Sequence, residues 1–251
     1  MGTNDPIAEE KHIADHRGEN AAHTARASST VKKRPFDVEV AFERLSETMQ
    51  GYPKAGLFQL ADLGYGGVFE TLVACILSIR TLDEVSVPAA QRLLNAARTP
   101  ERMAALSPDE IDALIDPCVF HTPKSRTIHT LARRVVEEYG GELPCDEGVL
   151  LGIAGVGPKC ANLALGIGCG KPLISVDIHV HRVVNRWGIV STTAPEETMV
   201  ELEQVIPRSH WIDTNRLIMP FGKFLCSGKL PHCSICPLLE MCRQVGVTAH
   251  R

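Results

Sequence analysis

Residues 150–165 read LLGIAGVGPKCANLAL, and this stretch decides the fold. Two apolar segments flank the string Ile153-Ala154-Gly155-Val156-Gly157-Pro158-Lys159. Gly155 and Gly157 are expected to adopt backbone angles that other residues avoid. Pro158 suits the first turn of a following helix, where its missing N–H costs little. The pattern predicts two helices joined by a hairpin that leaves backbone N–H groups open at a helix N-terminus, which is an anion site. DNA phosphate is the obvious large anion. Lys159 falls in the first turn of the second helix. That place suits a nucleophilic amine. An exposed lysine touching phosphate is the plainer role for the same residue.

Outward from the hairpin, apolar residues recur at helical spacing. Val38, Phe42, Leu45 and Met49 follow one another at intervals of three and four. Residues 67–97 predict two apolar helices with a break around Ser78 to Glu84. Ser107 is an N-cap, with Pro108 at the first helical position and Glu110 three residues after the cap. Residues 125–141 are amphipathic through Ile128, Leu131, Val135 and Val136, and end at a glycine pair. Residues 196–206 form another helical run, and no segment alternates as a strand does. The fold class is all-α with short connections.

A chain of 251 residues suits one large domain or two small ones. Its 26 basic and 30 acidic residues give a formal charge of −4, which excludes coating of nucleic acid through bulk charge but leaves room for a local basic cleft. Apolar residues at 44% and charged residues at 22% exclude global disorder. Residues 1–34 are polar and are expected to form a mobile tail, ending in the basic run Lys32-Lys33-Arg34. Its start has no apolar stretch of the signal-peptide kind. The most apolar long stretch, 150–170, holds Lys159, Asn162, Pro158 and six glycines, which argues against a membrane helix.

Nine cysteines is an odd total and a poor disulfide framework. Four of them stand as Cys226-x6-Cys233-x2-Cys236-x5-Cys242, a spacing that reads as metal or cluster ligation in a reducing, intracellular compartment. From ligand type alone, structural zinc and a [4Fe–4S] cluster both fit, although the spacing is not that of paired zinc-ribbon knuckles. Cys75, Cys118, Cys145, Cys160 and Cys169 read as core or free thiols. In the string SVDIHVHR, residues 175–182, Asp177 precedes an apolar run through Val180, Val183 and Val184. It is expected to cap that helix, worth about 1 kcal/mol. His179 and His181, two residues apart, point to different faces and do not make a zinc pair.

The string LLGIAGVGPKCANLAL resembles the helix-hairpin-helix of the endonuclease III family of DNA repair glycosylases. The FETLVACILS segment, the VD-x-H string and the cysteine loop match that family in the same order, so the resemblance spans about residues 37–245. It implies two helical domains with a DNA cleft between them: a six-helix domain over 61–171, and a cluster domain over 35–60 and 172–251. It implies that Lys159 is the nucleophile and Asp177 the catalytic carboxylate. It implies a mainly structural [4Fe–4S] cluster on Cys226, Cys233, Cys236 and Cys242. Gly155 and Gly157 would touch DNA, His179 would be a structural or phosphate-side residue, and Lys229, with Lys223 and Arg243, would face phosphate.

The activity implied is excision of a damaged base, oxidised pyrimidines by default, with strand cleavage at the abasic site. The partner is duplex DNA, and the protein is expected to act as a monomer away from membranes. Two alternatives stay open. One is a related glycosylase for another base or with weak activity. The other is a non-catalytic DNA-binding protein whose four-cysteine metal site braces the fold.

Departures from the family pattern fall where damage is read. After Leu77-Ser78 the family continues Ala-Gln-Ala/Thr-x-Asp, and here the string is Ile79-Arg80-Thr81-Leu82-Asp83. Arg80 takes the gap-filling position and is expected to stack on or hydrogen-bond the orphan base, unless it is an ordinary surface charge. The second wedge loop, Cys118 to Lys124, replaces a Gly-Leu-Tyr-type string. There Phe120 is either a wedge between bases or a core residue, His121 is counted with the DNA contacts, and Pro123 should stiffen the loop. Ile178 stands where threonine is common, and Ala154 where proline is common.

Overall fold

A computed structural model describes residues 25–26 and 33–251. In chain order the elements are β1 (Ala25–Arg26), α1 (Val38–Met49), α2 (Gly56–Asp62), α3 (Val68–Ser78), α4 (Asp83–Ala96), α5 (Pro100–Ala105) and α6 (Pro108–Ile115). These are followed by α7 (His121–Tyr139), α8 (Glu147–Leu151), α9 (Pro158–Cys169), α10 (Ile178–Trp187), α11 (Pro195–Val205), α12 (Trp211–Phe224) and β2 (Ala249–His250). The class is all-α. One short antiparallel ladder pairs Ala25 with His250 and Arg26 with Ala249.

Local chemistry accounts for the helix boundaries. Asp37 caps α1 by accepting the Val40 N–H at 3.1 Å. The capping box expected at Ser107 is formed: Ser107 Oγ accepts the Glu110 N–H at 3.2 Å, and Glu110 Oε2 accepts the Ser107 N–H at 2.7 Å. α7 begins earlier than its apolar pattern suggests, so residues 121–124 form its first turn and not a loop. Pro123 therefore sits inside that turn, where a proline N–H is not needed, and stiffens no loop.

Two apolar cores divide the buried side chains. The first gathers α2 to α9, with Leu72, Leu77, Leu93, Leu94, Ile111 and Ile128 fully enclosed. The second gathers α1, α10, α11 and α12 around Leu45, Trp187 and Phe221. Ala55, Leu57, Phe58 and Leu60 belong to the first core, so that unit begins before residue 61. Truncating one such enclosed leucine to alanine costs about 2–5 kcal/mol. The extended segment 171–177 passes from one core to the other: Leu173 packs on the first and Ile174 is buried in the second.

The expected tail, residues 1–34, lies outside the described residues except at 25–26 and 33–34. Lys33 and Arg34 are docked, contrary to the tail reading. Lys33 Nζ donates to the Leu239 carbonyl at 2.7 Å and to Gln244 Oε1 at 3.2 Å, and the Arg34 N–H donates to the Glu240 carbonyl at 3.1 Å. The basic run thus ends against the cysteine-bearing segment. Among the described residues no helix is long and apolar enough to cross a membrane.

Candidate active site and cysteine loop

The hairpin lies between α8 and α9. Gly155 takes φ +81°, a conformation that favours glycine. Gly157 does not need that freedom: its φ is −99° and it is the N-cap of α9. Both glycines are exposed, and a Cβ on either would meet nothing within 4 Å, so the backbone here is open to a large anion. Pro158 opens α9, and Lys159 follows it, half-buried.

The segment that leaves α9 returns to Lys159. Ser175, 2% exposed, donates its hydroxyl to the Lys159 carbonyl at 3.1 Å. Two residues later Asp177 caps α10, accepting the His179 and Val180 N–H groups at 2.9 and 2.8 Å. Both bonds fall on Oδ1, and among the described residues Oδ2 accepts from no partner. Lys159 therefore stands on the edge of the first core and Asp177 on the edge of the second, tied by the Ser175 bond. Ile178, beside Asp177, is 68% exposed.

His179 is turned into the protein. It packs on Gly222 of α12, and Arg182 Nη2 lies 3.2 Å from its Nδ1. Burial, partly opposed by the Asp177 carboxylate, pulls its imidazole below the ordinary histidine value. His181 bonds Thr198 Oγ1 at 2.6 Å on another face, so the two histidines do not converge.

The positions expected to read damage come together. The Arg80 guanidinium carbon lies 5.8 Å from the centre of the Phe120 ring, and both residues are exposed. Phe120 is 53% exposed and so is not a core residue. His121 is held by Asp112 at 2.8 Å. Lys229 is exposed on the cysteine loop, as is Arg243. Lys223 differs from expectation: its ammonium is spent on Glu84 at 2.7 Å and Asp83 at 3.6 Å, joining α12 to α4.

Cys226, Cys233, Cys236 and Cys242 line one cavity with Arg186, Trp187 and Phe221. Burial pushes the Cys236 thiol up to about 12 and the Cys242 thiol up to about 11. Donors nonetheless point at the sulfurs. Arg186 Nη1 lies 3.4 Å from Cys226 Sγ, and the Gln244 N–H lies 3.4 Å from Cys242 Sγ. Gln244 Nε2, buried at the same cavity, has no partner among the described residues. Among the described residues no three His, Cys, Asp or Glu side chains converge on a single-ion position.

Sequence reasoning missed the braces of this loop. Arg182 Nη2 donates to the Gly222 carbonyl at 2.7 Å, and Arg186 donates to the Ser227 and Gly228 carbonyls at 2.6 Å. The one available signal was that these arginines stand four apart on the helix that Asp177 caps.

The cysteines outside the loop also differ from expectation. Cys75 of α3 is bonded to Cys160 of α9, and Cys145 to Cys169 at the end of α9. Of those five, Cys118 alone remains a thiol. The Cα pairs are 5.8 and 6.1 Å apart, within bridging range, because α9 packs along α3 and its far end meets the segment before α8.

Known proteins share this fold. Residues 73–208 match the family described as HhH-GPD superfamily base excision DNA repair protein. Endonuclease III of Thermotoga maritima is 37% identical over 174 residues, covering 69% of this chain and 82% of the relative. Endonuclease III of Bacillus subtilis is 32% identical over 187 residues, covering 73% and 84%. A solved structure of a non-covalent Endonuclease III–DNA complex superposes with a TM-score of 0.72 at 29% identity, over 82% of this chain and 94% of that one. The hairpin, the aspartate string and the fold thus have one common explanation: the chain belongs to the endonuclease III family within the HhH-GPD superfamily of base excision DNA repair proteins.

Proposed function

We propose that this base excision repair DNA glycosylase removes oxidised pyrimidines from duplex DNA and cuts the strand at the abasic site, with Lys159 as nucleophile and Asp177 as its carboxylate. The observation that carries the assignment is the Ser175–Lys159 bond, which ties the aspartate segment to the lysine at the junction of the two cores. The damaged nucleotide leaves the stack and enters the space between the two helical units. Exposed N–H groups of the hairpin at Gly155 and Gly157 hold backbone phosphate.

Lys159 Nζ, as the free amine, forms a bond to C1′ while the C1′–N bond to the base breaks. The base departs with that electron pair and takes up a proton. The free Oδ2 of Asp177 stabilises positive charge developing on the sugar and accepts protons from the amine. Opening of the sugar ring gives an iminium linkage to Lys159. Loss of a C2′ proton then expels the 3′ phosphate, and water releases the lysine.

The cysteine loop fits a [4Fe–4S] cluster better than zinc. The four thiols line one shared cavity, and their spacing is not that of paired zinc-ribbon knuckles. The inward-facing donors of Arg186 and Gln244 suit sulfur that carries negative charge. Cys226, Cys233, Cys236 and Cys242 would hold it, and when bound it supplies cross-links that fix the loop bearing Lys229. A yellow-brown protein with equal iron and acid-labile sulfide is expected; a colourless zinc protein contradicts the assignment.

The substrate class is tested with duplexes that each carry one lesion, assayed for base release and nicking. Turnover of oxidised pyrimidines with nicking supports the reading. Base release without nicking, or turnover of alkylated purines alone, overturns it.

A further inference from the structure

The turns that carry Arg80 and Phe120 meet at one buried lysine. Lys124, 6% exposed, stands one turn into α7, and its own N–H donates to the Phe120 carbonyl at 3.1 Å. Its ammonium reaches across to the other turn. Nζ donates to the Leu77 carbonyl at 2.7 Å, the Ile79 carbonyl at 2.7 Å and Thr81 Oγ1 at 3.0 Å. All three donors of the ammonium are thereby used. Thr81 Oγ1 in turn accepts the Val119 N–H at 3.2 Å, a second stitch between the same two turns.

Lys124 forms no ion pair with a carboxylate among the described residues; its acceptors are three neutral oxygens on either side of Arg80. Burying an ammonium is costly, and holding helix to loop by packing alone would need only an apolar side chain. What the charged group adds is direction, because it fixes the Leu77 and Ile79 carbonyls that precede Arg80 and the Thr81 hydroxyl that follows it. Both residues so held are strained. Arg80 takes φ +54° and Phe120 φ +58°, two of the three non-glycine positive values among the described residues. Strain of this kind persists only where surrounding bonds enforce it. The exposed Arg80 side chain is left over the Phe120 ring.

We propose that Lys124 is a positioning residue that couples the Arg80 turn to the Phe120 turn, so that the two side chains enter the duplex as one unit beside the flipped nucleotide. Arg80 faces the orphan base with a fixed donor fork and Phe120 supplies the stacking surface. Guanine opposite the lesion is then favoured by about ten-fold. This rests on the glycosylase reading above, and the test separates the two.

The probe is a duplex with a tetrahydrofuran abasic analogue opposite 2-aminopurine, whose fluorescence reports unstacking in the absence of chemistry. Wild type should change that signal on binding. Lys124→Met should lose most of the change while its affinity moves by less than about ten-fold. In single-turnover base release from four duplexes differing only in the opposite base, Lys124→Met should compress the ranking to within about two-fold, as should Arg80→Gln. If Lys124→Met does not fold, Thr81→Val keeps the ammonium, removes the shared hydroxyl, and should show the same loss in smaller measure. A variant that melts earlier but keeps the wild-type fluorescence change and ranking overturns the proposal and leaves Lys124 a structural residue. Absence of any fluorescence change in wild type overturns the proposal too, and locates the failure in the insertion reading itself.

Discussion

Replacing Asp177 by asparagine and by alanine separates two roles of one side chain. Its Oδ1 accepts two N–H groups at the start of α10, while among the described residues Oδ2 accepts from no partner and, on the proposed function, faces the sugar. Asparagine keeps the carbonyl acceptor and the cap, losing only the charge at the helix N-terminus, about 0.5 kcal/mol. Alanine loses the cap as well, for a total of about 1.5 kcal/mol. In a chain of this size these figures correspond to falls of about 1–2 °C and about 3–6 °C in Tm. Catalysis should order differently: both variants lose the carboxylate, so both should slow base release by about 10²–10³. The assays are thermal unfolding by circular dichroism and single-turnover base release. An asparagine variant that folds normally and releases base at the wild-type rate would refute the catalytic assignment and leave Asp177 a cap. An asparagine variant that melts with the alanine variant would refute the capping argument.

Lys223 and Lys229 should part company in salt titrations of DNA binding. Lys229→Gln should lower the slope of log affinity against log salt by about one charge, whereas Lys223→Gln, whose wild-type ammonium is spent on Glu84 and Asp83, should leave it unchanged. The exposed Cys145 and its partner Cys169 should resist alkylation until a dithiol reduces their bond, with peptide mapping as the readout. Their sequence separation of 24 implies a loss of about 3 kcal/mol on reduction, seen as a lower Tm. Ser107→Ala should cost about 1 kcal/mol by breaking the capping box of α6 and leave base release intact.

The sequence made legible what depends on local chemistry. Pro158 after Gly157, the Ser107 cap with Glu110, and Asp177 before an apolar run each carry their own short-range instruction. The hairpin, the α6 start and the α10 start follow from them. Contacts made across long separations left no such mark. Cys75 and Cys160 are 85 residues apart, and nothing in their spacing announces a bond. Lys124 reads only as the last residue of the second wedge loop until the carbonyls of Leu77 and Ile79 are brought to it. Helix α12 hides because Pro220 interrupts its pattern, yet tertiary packing of Leu217, Ile218 and Phe221 in the second core outweighs the lost hydrogen bond. Lys33 and Arg34 look like the end of a solvated tail, and only the fold supplies the carbonyls of Leu239 and Glu240 that hold them.

The central claim is a covalent step at Lys159. A duplex carrying one oxidised pyrimidine is incubated with the protein and borohydride, and the adduct is digested and mapped by mass spectrometry. The account predicts a reduced sugar on Lys159 in the peptide that spans the hairpin, and no adduct from Lys159→Ala, which should still bind the duplex. An adduct on another residue, or base release from wild type with no adduct at all, would contradict it.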